Sequence, residues 1–223
     1  MKKALSLSNL SLLFASRKIR LLTFALSFLF FALFIDLTWE LWEHDHKLYL
    51  LDQTIIKFIA RHRLAVLNGS ALDITALGSP TLSLMISLIT LGFLGLNKMK
   101  RELIFFISAS FGAGLWSVII KNIIERPRPQ DIPALIQVEG FSYPSGHTLA
   151  ATAIYLSLAF ILNKNFKFKY SSTLYFSVSI FLFSLVGFSR IYLGVHYPSD
   201  ALSGVFFGSA WAIFLASFYL NGD

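Results

Sequence analysis

The sequence predicts an all-α fold, an integral membrane bundle of six transmembrane helices. Three observations predict it. Of 223 residues, 56% are hydrophobic, only 14% are charged, and 23 are phenylalanines. A soluble domain cannot hide so much apolar surface, whereas lipid solvates the outside of a helix bundle. The apolar residues also fall into six runs near the ~20 residues a helix needs to cross the hydrocarbon core. Finally, charged and histidine residues recur where the chain leaves and re-enters lipid, where charge is costly enough to signal function.

The expected spans are Leu21 to Leu41, Leu77 to Leu96, Glu102 to Ile124, Gly146 to Leu162, Ser171 to Phe188 and Pro198 to Leu220. No internal repeat or linker divides them, so residues 21–223 read as one membrane domain. Residues 1–20 carry a short apolar run broken by Ser and Asn. Arg17, Lys18 and Arg20 follow it in place of a small-residue cleavage site. They read as a retained cytoplasmic tail, either an interfacial helix or disordered.

Between the first two spans, "WEHDHKLYLLDQTIIKFIARHR" is too polar to cross. Its Leu50, Leu51, Ile55, Ile56 and Ile59 recur at near-helical spacing, which predicts a helix lying along the interface. Trp39 and Trp42 occupy the place of an aromatic belt. His44 and His46 form a His-x-His pair without a clear third ligand, and His62 also falls here, so solvated loop histidines are the stronger reading than a metal site.

The net charge is +7, but the Lys and Arg lie in short clusters between apolar runs. That pattern suits juxtamembrane segments on anionic lipid and not a nucleic-acid surface. No cysteine is present, which excludes disulfides, thiol catalysis and cysteine-ligated metals. With the N-terminus cytoplasmic, the inside receives the basic tail, "NKMKR" and "NKNFKFK". The third-to-fourth and fifth-to-sixth connections then open outside.

Three motifs gather in those two connections. "KNIIERPRP" carries Lys121, Arg126 and Arg128, and Pro127 and Pro129 place Arg128 on an extended turn beyond the helix end. "YPSGHT" opens the fourth span. There Pro144 suits the first turn, Ser145 can cap and Gly146 admits a ligand close to the backbone. The N–H groups of that helix end suit an anion, with His147 beside it. In "SRIYLGVHYPSD", Pro198 starts the last helix, so the Asp200 carboxylate leans back toward His196. A carboxylate on one ring nitrogen frees the other as base or nucleophile, and Arg190 suits an anionic oxygen pair. Together these groups fit phosphoryl transfer at an interfacial active site. Cations neutralise the equatorial oxygens, one histidine attacks and the other protonates the leaving oxygen. No acidic cluster suggests a metal site, so metal-independent chemistry without a cofactor is expected.

With these residues in order, the chain resembles the type-2 phosphatidic acid phosphatase superfamily, the membrane lipid phosphate phosphatases. Its signatures Lys-x6-Arg-Pro, Pro-Ser-Gly-His and Ser-Arg-x5-His-x3-Asp match Lys121 to Pro129, Pro144 to His147 and Ser189 to Asp200 without departure. The resemblance implies His196 as the nucleophile forming a phosphohistidine, Asp200 as its orienting carboxylate and His147 as the general acid. It implies a phosphate-binding set of Lys121, Arg128, Pro129, Ser145, Gly146, Ser189 and Arg190. Expected substrates are lipid phosphates or diphosphates of the undecaprenyl diphosphate, phosphatidylglycerol phosphate or phosphatidic acid type, met in a bacterial cell membrane from its outer side. A lipid A phosphatase, a lipid phosphotransferase or a transporter are the alternatives. A transporter would need its charges near the bilayer midplane, not at helix ends.

Other features read as structural. Gly204 and Gly208, and Gly112 and Gly114, have the spacing or size that lets helices approach. Met85 and most phenylalanines read as lipid-facing or core. Asp36 and Glu125 are candidate partners for a loop arginine.

Overall fold

The computed structural model describes residues 7–220. Eight helices follow in order: α1 (Leu7–Trp42), α2 (His46–Arg61), α3 (Leu67–Ala76), α4 (Pro80–Leu96), α5 (Lys100–Ile124), α6 (Gly146–Asn165), α7 (Ser171–Tyr192) and α8 (Pro198–Tyr219). Five of them, α1 from Arg20 onward and α5 to α8, are long and apolar enough to cross a membrane. The pair α3 and α4 meets that test only jointly and is bent by 44°, which gives a sixth candidate span if the two count as one.

The expected second span, Leu77 to Leu96, is α4, which starts at Pro80 just after the bend. Pro80 cannot donate the N–H that would continue α3 into α4. Instead it occupies the first turn of α4, while Ser79 Oγ accepts from Leu82 N at 3.2 Å. At the break, a β-carbon on Gly78 would lie 2.7 Å from the His147 carbonyl oxygen. The kink therefore presses against the start of α6, where a signature histidine sits.

The interfacial helix expected after the first span is α2. Asp45 caps it, accepting from Lys47 N at 2.6 Å and Leu48 N at 2.9 Å. Its Ile56 packs with Ile132 and Tyr197, and the helix contacts α7 and α8. The N-terminal segment takes the helical one of the two expected forms. From Leu7 it is helical and continuous with the first span, while residues 1–6 lie outside the described residues.

The centre of the bundle is α6 against α8, with α1, α5 and α7 around them. A β-carbon on Gly208 would lie 2.8 Å from Thr152 Cβ and 2.9 Å from the Leu149 carbonyl. One on Gly204 would lie 2.9 Å from the Ser145 carbonyl. These glycines thus admit α6 to contact with α8, as their four-residue spacing suggested. Gly112 does the same for the Trp211 ring at 2.6 Å, but Gly114 has nothing within 4 Å, so it does not serve close approach. Phe28, Met85, Ile89 and Phe111 are exposed on the outside of the bundle, where lipid solvates them.

Candidate active site

The site forms where α5 ends and α6 and α8 begin. Glu125, in the left-handed conformation at φ 51, terminates α5. The chain then runs without regular structure through Arg126–Pro129, as the two prolines require. Farther along this loop, the carbonyls of residues 139–142 turn back on the cations. Arg128 donates Nε to the Gly140 carbonyl at 2.9 Å, and Nη2 to those of Glu139 at 3.1 Å and Phe141 at 3.2 Å. Lys121 Nζ donates to the Phe141 carbonyl at 2.6 Å and the Ser142 carbonyl at 3.3 Å. One strap of backbone thus fixes both basic side chains.

The "PSGH" segment departs from expectation in two details. Helix α6 begins at Gly146 with Ser145 as its cap residue, so Pro144 precedes the helix. Ser145 makes no side-chain cap; its Oγ instead accepts from Thr148 Oγ1 at 2.9 Å. Ser145 N also donates to the Asp200 carbonyl at 2.9 Å, which ties the cap position to α8. Gly146 is needed where it stands, since a β-carbon there would come 2.9 Å from Ser117 Oγ and 3.8 Å from Lys121 Cε. His147, the next residue, is half-buried. It lies within electrostatic reach of Arg190, His196, Arg128 and Lys121.

His196 sits between two partners. Its Nδ1 is 3.4 Å from Asp200 Oδ2, and Arg128 Nη1 is 3.3 Å from its Nε2. With Nδ1–H directed at the carboxylate, Nε2 keeps its lone pair. The ring is only 2% exposed. Burial pushes its pKa down to about 4, further aided by Arg190 and Arg128 and opposed by Asp200, so the imidazole is neutral at pH 7. Burial also lowers Arg128 from its ordinary value, with Asp200 opposing.

Arg190 lies in the last turn of α7, 2% exposed. It donates Nη1 to Thr75 Oγ1 at 3.0 Å, while its buried Nε has no acceptor among the described residues. A buried guanidinium N–H without a partner is costly, and an anionic oxygen is the ligand that best relieves it. Two expected residues do not reach the cluster as donors. Ser189 gives its hydroxyl proton to the Val186 carbonyl of its own helix at 2.7 Å. Pro129, buried, has no N–H and serves only to shape the turn.

Sequence reasoning gave no role to Asp52, Thr75 or Arg126. Arg126 donates Nη1 to Asp200 Oδ1 at 2.6 Å and Nη2 to Asp52 Oδ2 at 2.7 Å. The arginine's partner in α2 is thus Asp52, not the expected Asp36 or Glu125. A signal was available: Asp52 lies four residues after Leu48, four before Ile56 and seven before Ile59. It therefore sits on the apolar stripe of α2, where a charge needs a partner. Among the described residues, no three His, Cys, Asp or Glu side chains are grouped to hold a metal ion.

Residues 102–222 match the family model for the PAP2 superfamily. Phosphatidylglycerophosphatase B of Bacillus subtilis is 33% identical over 169 residues, covering 74% of this chain and 81% of that protein. A decaprenylphosphoryl-5-phosphoribose phosphatase of Mycobacterium tuberculosis is 30% identical over 53% of this chain and 62% of its own length. The crystal structure of a transmembrane PAP2 type phosphatidylglycerolphosphate phosphatase from Bacillus subtilis superposes with a TM-score of 0.80 at 27% identity. That superposition covers 86% of this chain and 94% of that one. A fold of candidate membrane-spanning helices, three signature motifs meeting where α5 ends and α8 begins and a family match over more than half its length agree: this chain belongs to the PAP2 superfamily.

Proposed function

We propose that the protein is a multi-pass membrane phosphatase that removes a phosphoryl group from a lipid phosphate or diphosphate through a phosphohistidine, without a metal. The observation that carries this reading is the position of His196, with Nδ1 facing Asp200 and Nε2 facing Arg128. In the first step the Nε2 lone pair attacks phosphorus and the bond to the lipid oxygen breaks. His147 gives that oxygen its proton, and the lipid alcohol, or the lipid monophosphate from a diphosphate, departs. Lys121, Arg128 and Arg190 neutralise the equatorial oxygens, and the unpartnered Arg190 Nε supplies a donor. Asp200 stabilises the positive charge that grows on the ring. In the second step water attacks phosphorus, His147 takes its proton, the N–P bond breaks and inorganic phosphate leaves.

A site at helix ends takes a head group while the lipid tail stays among the exposed apolar side chains of the spans. Relatives named for phosphatidylglycerophosphate and decaprenyl-linked substrates support that class. The bias of Lys and Arg toward the other loops puts the site on the outer face of a bacterial cell membrane, with residues 1–20 cytoplasmic.

The test is phosphate release by the full chain in detergent with excess chelator, beside His196→Ala. The probes are phosphatidic acid, phosphatidylglycerol phosphate and undecaprenyl diphosphate. Chelator-resistant turnover that the substitution lowers by about 10³-fold or more supports the reading. Turnover that persists in the variant removes His196 as nucleophile.

A further inference from the structure

The mechanism uses neither Asp52 nor Arg126, yet both are buried charges, 1% and 8% exposed. Unpaired, such groups would be prohibitively costly, and here they form one network that reaches the catalytic carboxylate. Asp52 Oδ2 accepts from Arg126 Nη2 at 2.7 Å and from the Ser199 hydroxyl, and Oδ1 accepts from Ser199 N at 3.0 Å. Arg126 turns its other nitrogen, Nη1, to Asp200 Oδ1 at 2.6 Å and Ser199 Oγ at 2.7 Å. Its guanidinium carbon stands 4.1 Å from the Tyr197 ring centroid. The remaining oxygen of Asp200, Oδ2, accepts from Tyr197 N at 2.9 Å and faces His196. Burial alone would lower the Arg126 guanidinium, but Asp200 and Asp52 outweigh it and hold it above its ordinary value.

We infer that Arg126, gripped by Asp52 of the interfacial helix α2, is a positioning residue: it fixes one oxygen of Asp200 so that the other stays aimed at His196. A carboxylate has two acceptor oxygens and one torsion that exchanges them. With Arg126 on Oδ1, rotation would break a charge-assisted bond, so Oδ2 stays on the Nδ1 side. Without Arg126, a fully buried Asp200 would rotate toward another donor or take up a proton. Either change removes the acceptor that holds Nδ1–H and leaves Nε2 less well directed at phosphorus. Asp52 acts one bond further out, because it fills the second half of the planar guanidinium fork and fixes its plane. The catalytic geometry thus depends on a helix that carries none of the family's three signatures.

The inference rests on the phosphohistidine reading, and the experiment separates the two. The full chain in mixed micelles is assayed with the probes above as Arg126→Gln, Arg126→Lys, Asp52→Asn, Asp200→Asn and Arg126→Gln/Asp200→Asn. Lys57→Ala, on the same helix as Asp52 and paired at the surface with loop residue Asp131, serves as control. Arg126→Gln is expected to lower kcat by about 10²-fold with KM within about threefold, and Asp52→Asn to lower kcat about tenfold. Arg126→Lys recovers part of the loss. The double variant falls no further than Asp200→Asn alone, within about threefold, because both act through one carboxylate. A purely structural role predicts the opposite, losses that multiply or that appear in KM, and either would overturn the inference. If Arg126→Gln fails to fold, wild-type kcat in Asp52→Asn overturns it. If the wild type turns over none of the probes, the phosphatase reading fails. The downfield NMR resonance of His196 Nδ1–H then tests positioning alone: its loss in Asp52→Asn supports the inference, and its persistence unchanged overturns it.

Discussion

Arg128 Nη1 stands 3.3 Å from His196 Nε2, the ring nitrogen that Asp200 does not hold. A cation against that nitrogen, within a buried site, disfavours a second proton on the ring. The pKa of His196 is accordingly lowered from the ordinary 6.5 to about 4, with burial as the largest cause. Carbon-13 NMR titration of histidine-labelled protein, with the signal assigned by its loss in His196→Ala, is expected to show His196 neutral down to pH 5. A midpoint near 6.5 would contradict the geometry. The sign for stability follows. The unfolded chain binds this proton near its ordinary pKa and the folded chain only near 4, so this ring destabilises the fold as pH falls through that window.

His147 offers a different signature, because the leaving group decides how much its proton matters. A lipid alkoxide needs that proton to depart, whereas nitrophenolate does not. His147→Gln is expected to lower turnover of phosphatidic acid by about 10²–10⁴-fold. With p-nitrophenyl phosphate, the variant should still release a burst of about one nitrophenolate per enzyme and accumulate phosphohistidine, since water attack also lacks its base. Equal losses on both substrates without a burst would place His147 outside proton transfer.

Much of this site was legible in the sequence because its chemistry is carried by residue types at fixed spacings. His196 and Asp200 are four apart at the start of a helix, and Lys121 and Arg128 flank a proline-marked helix end. The six apolar runs likewise follow directly from the length a span requires. What stayed hidden depends on contacts between distant segments. Asp52 is 74 positions from Arg126 and shares no local pattern with it. The close approach of Gly78 at the break to the His147 carbonyl could not be read from Pro80. The Ser145 hydroxyl, expected to cap α6, accepts instead from Thr148, which the tetrapeptide alone could not reveal.

Gly208 and Gly114 make a matched pair for the packing argument. A β-carbon at Gly208 meets Thr152 and a backbone carbonyl of α6, neither of which can yield without moving a helix, while one at Gly114 meets nothing within 4 Å. Gly208→Ala is expected to destabilise by about 1–3 kcal/mol through overpacking. Gly114→Ala is expected to stabilise by about 0.5–1 kcal/mol, since alanine loses less backbone freedom in a helix. Apparent Tm in detergent, followed by loss of monodispersity on heating, reads both. A Gly208→Ala protein as stable as the wild type would mean that α6 and α8 are not in this close contact.

The absence of cysteine from the chain makes its orientation directly testable. Gln130 lies exposed in the loop between α5 and α6 that helps form the site, and Lys167 lies exposed in the loop between α6 and α7. A single membrane span separates the two loops, so they open on opposite faces. In the orientation proposed above, the Lys167 loop is cytoplasmic. Gln130→Cys is therefore expected to react in intact cells with a membrane-impermeant maleimide, and Lys167→Cys only after the cells are opened. The converse labelling would invert the protein and turn the site toward cytoplasmic lipid phosphates. Labelling of both positions in intact cells would contradict α6 as a span. The first pattern would restrict the substrate to lipids whose phosphate head reaches the outer leaflet, which a detergent assay cannot reveal.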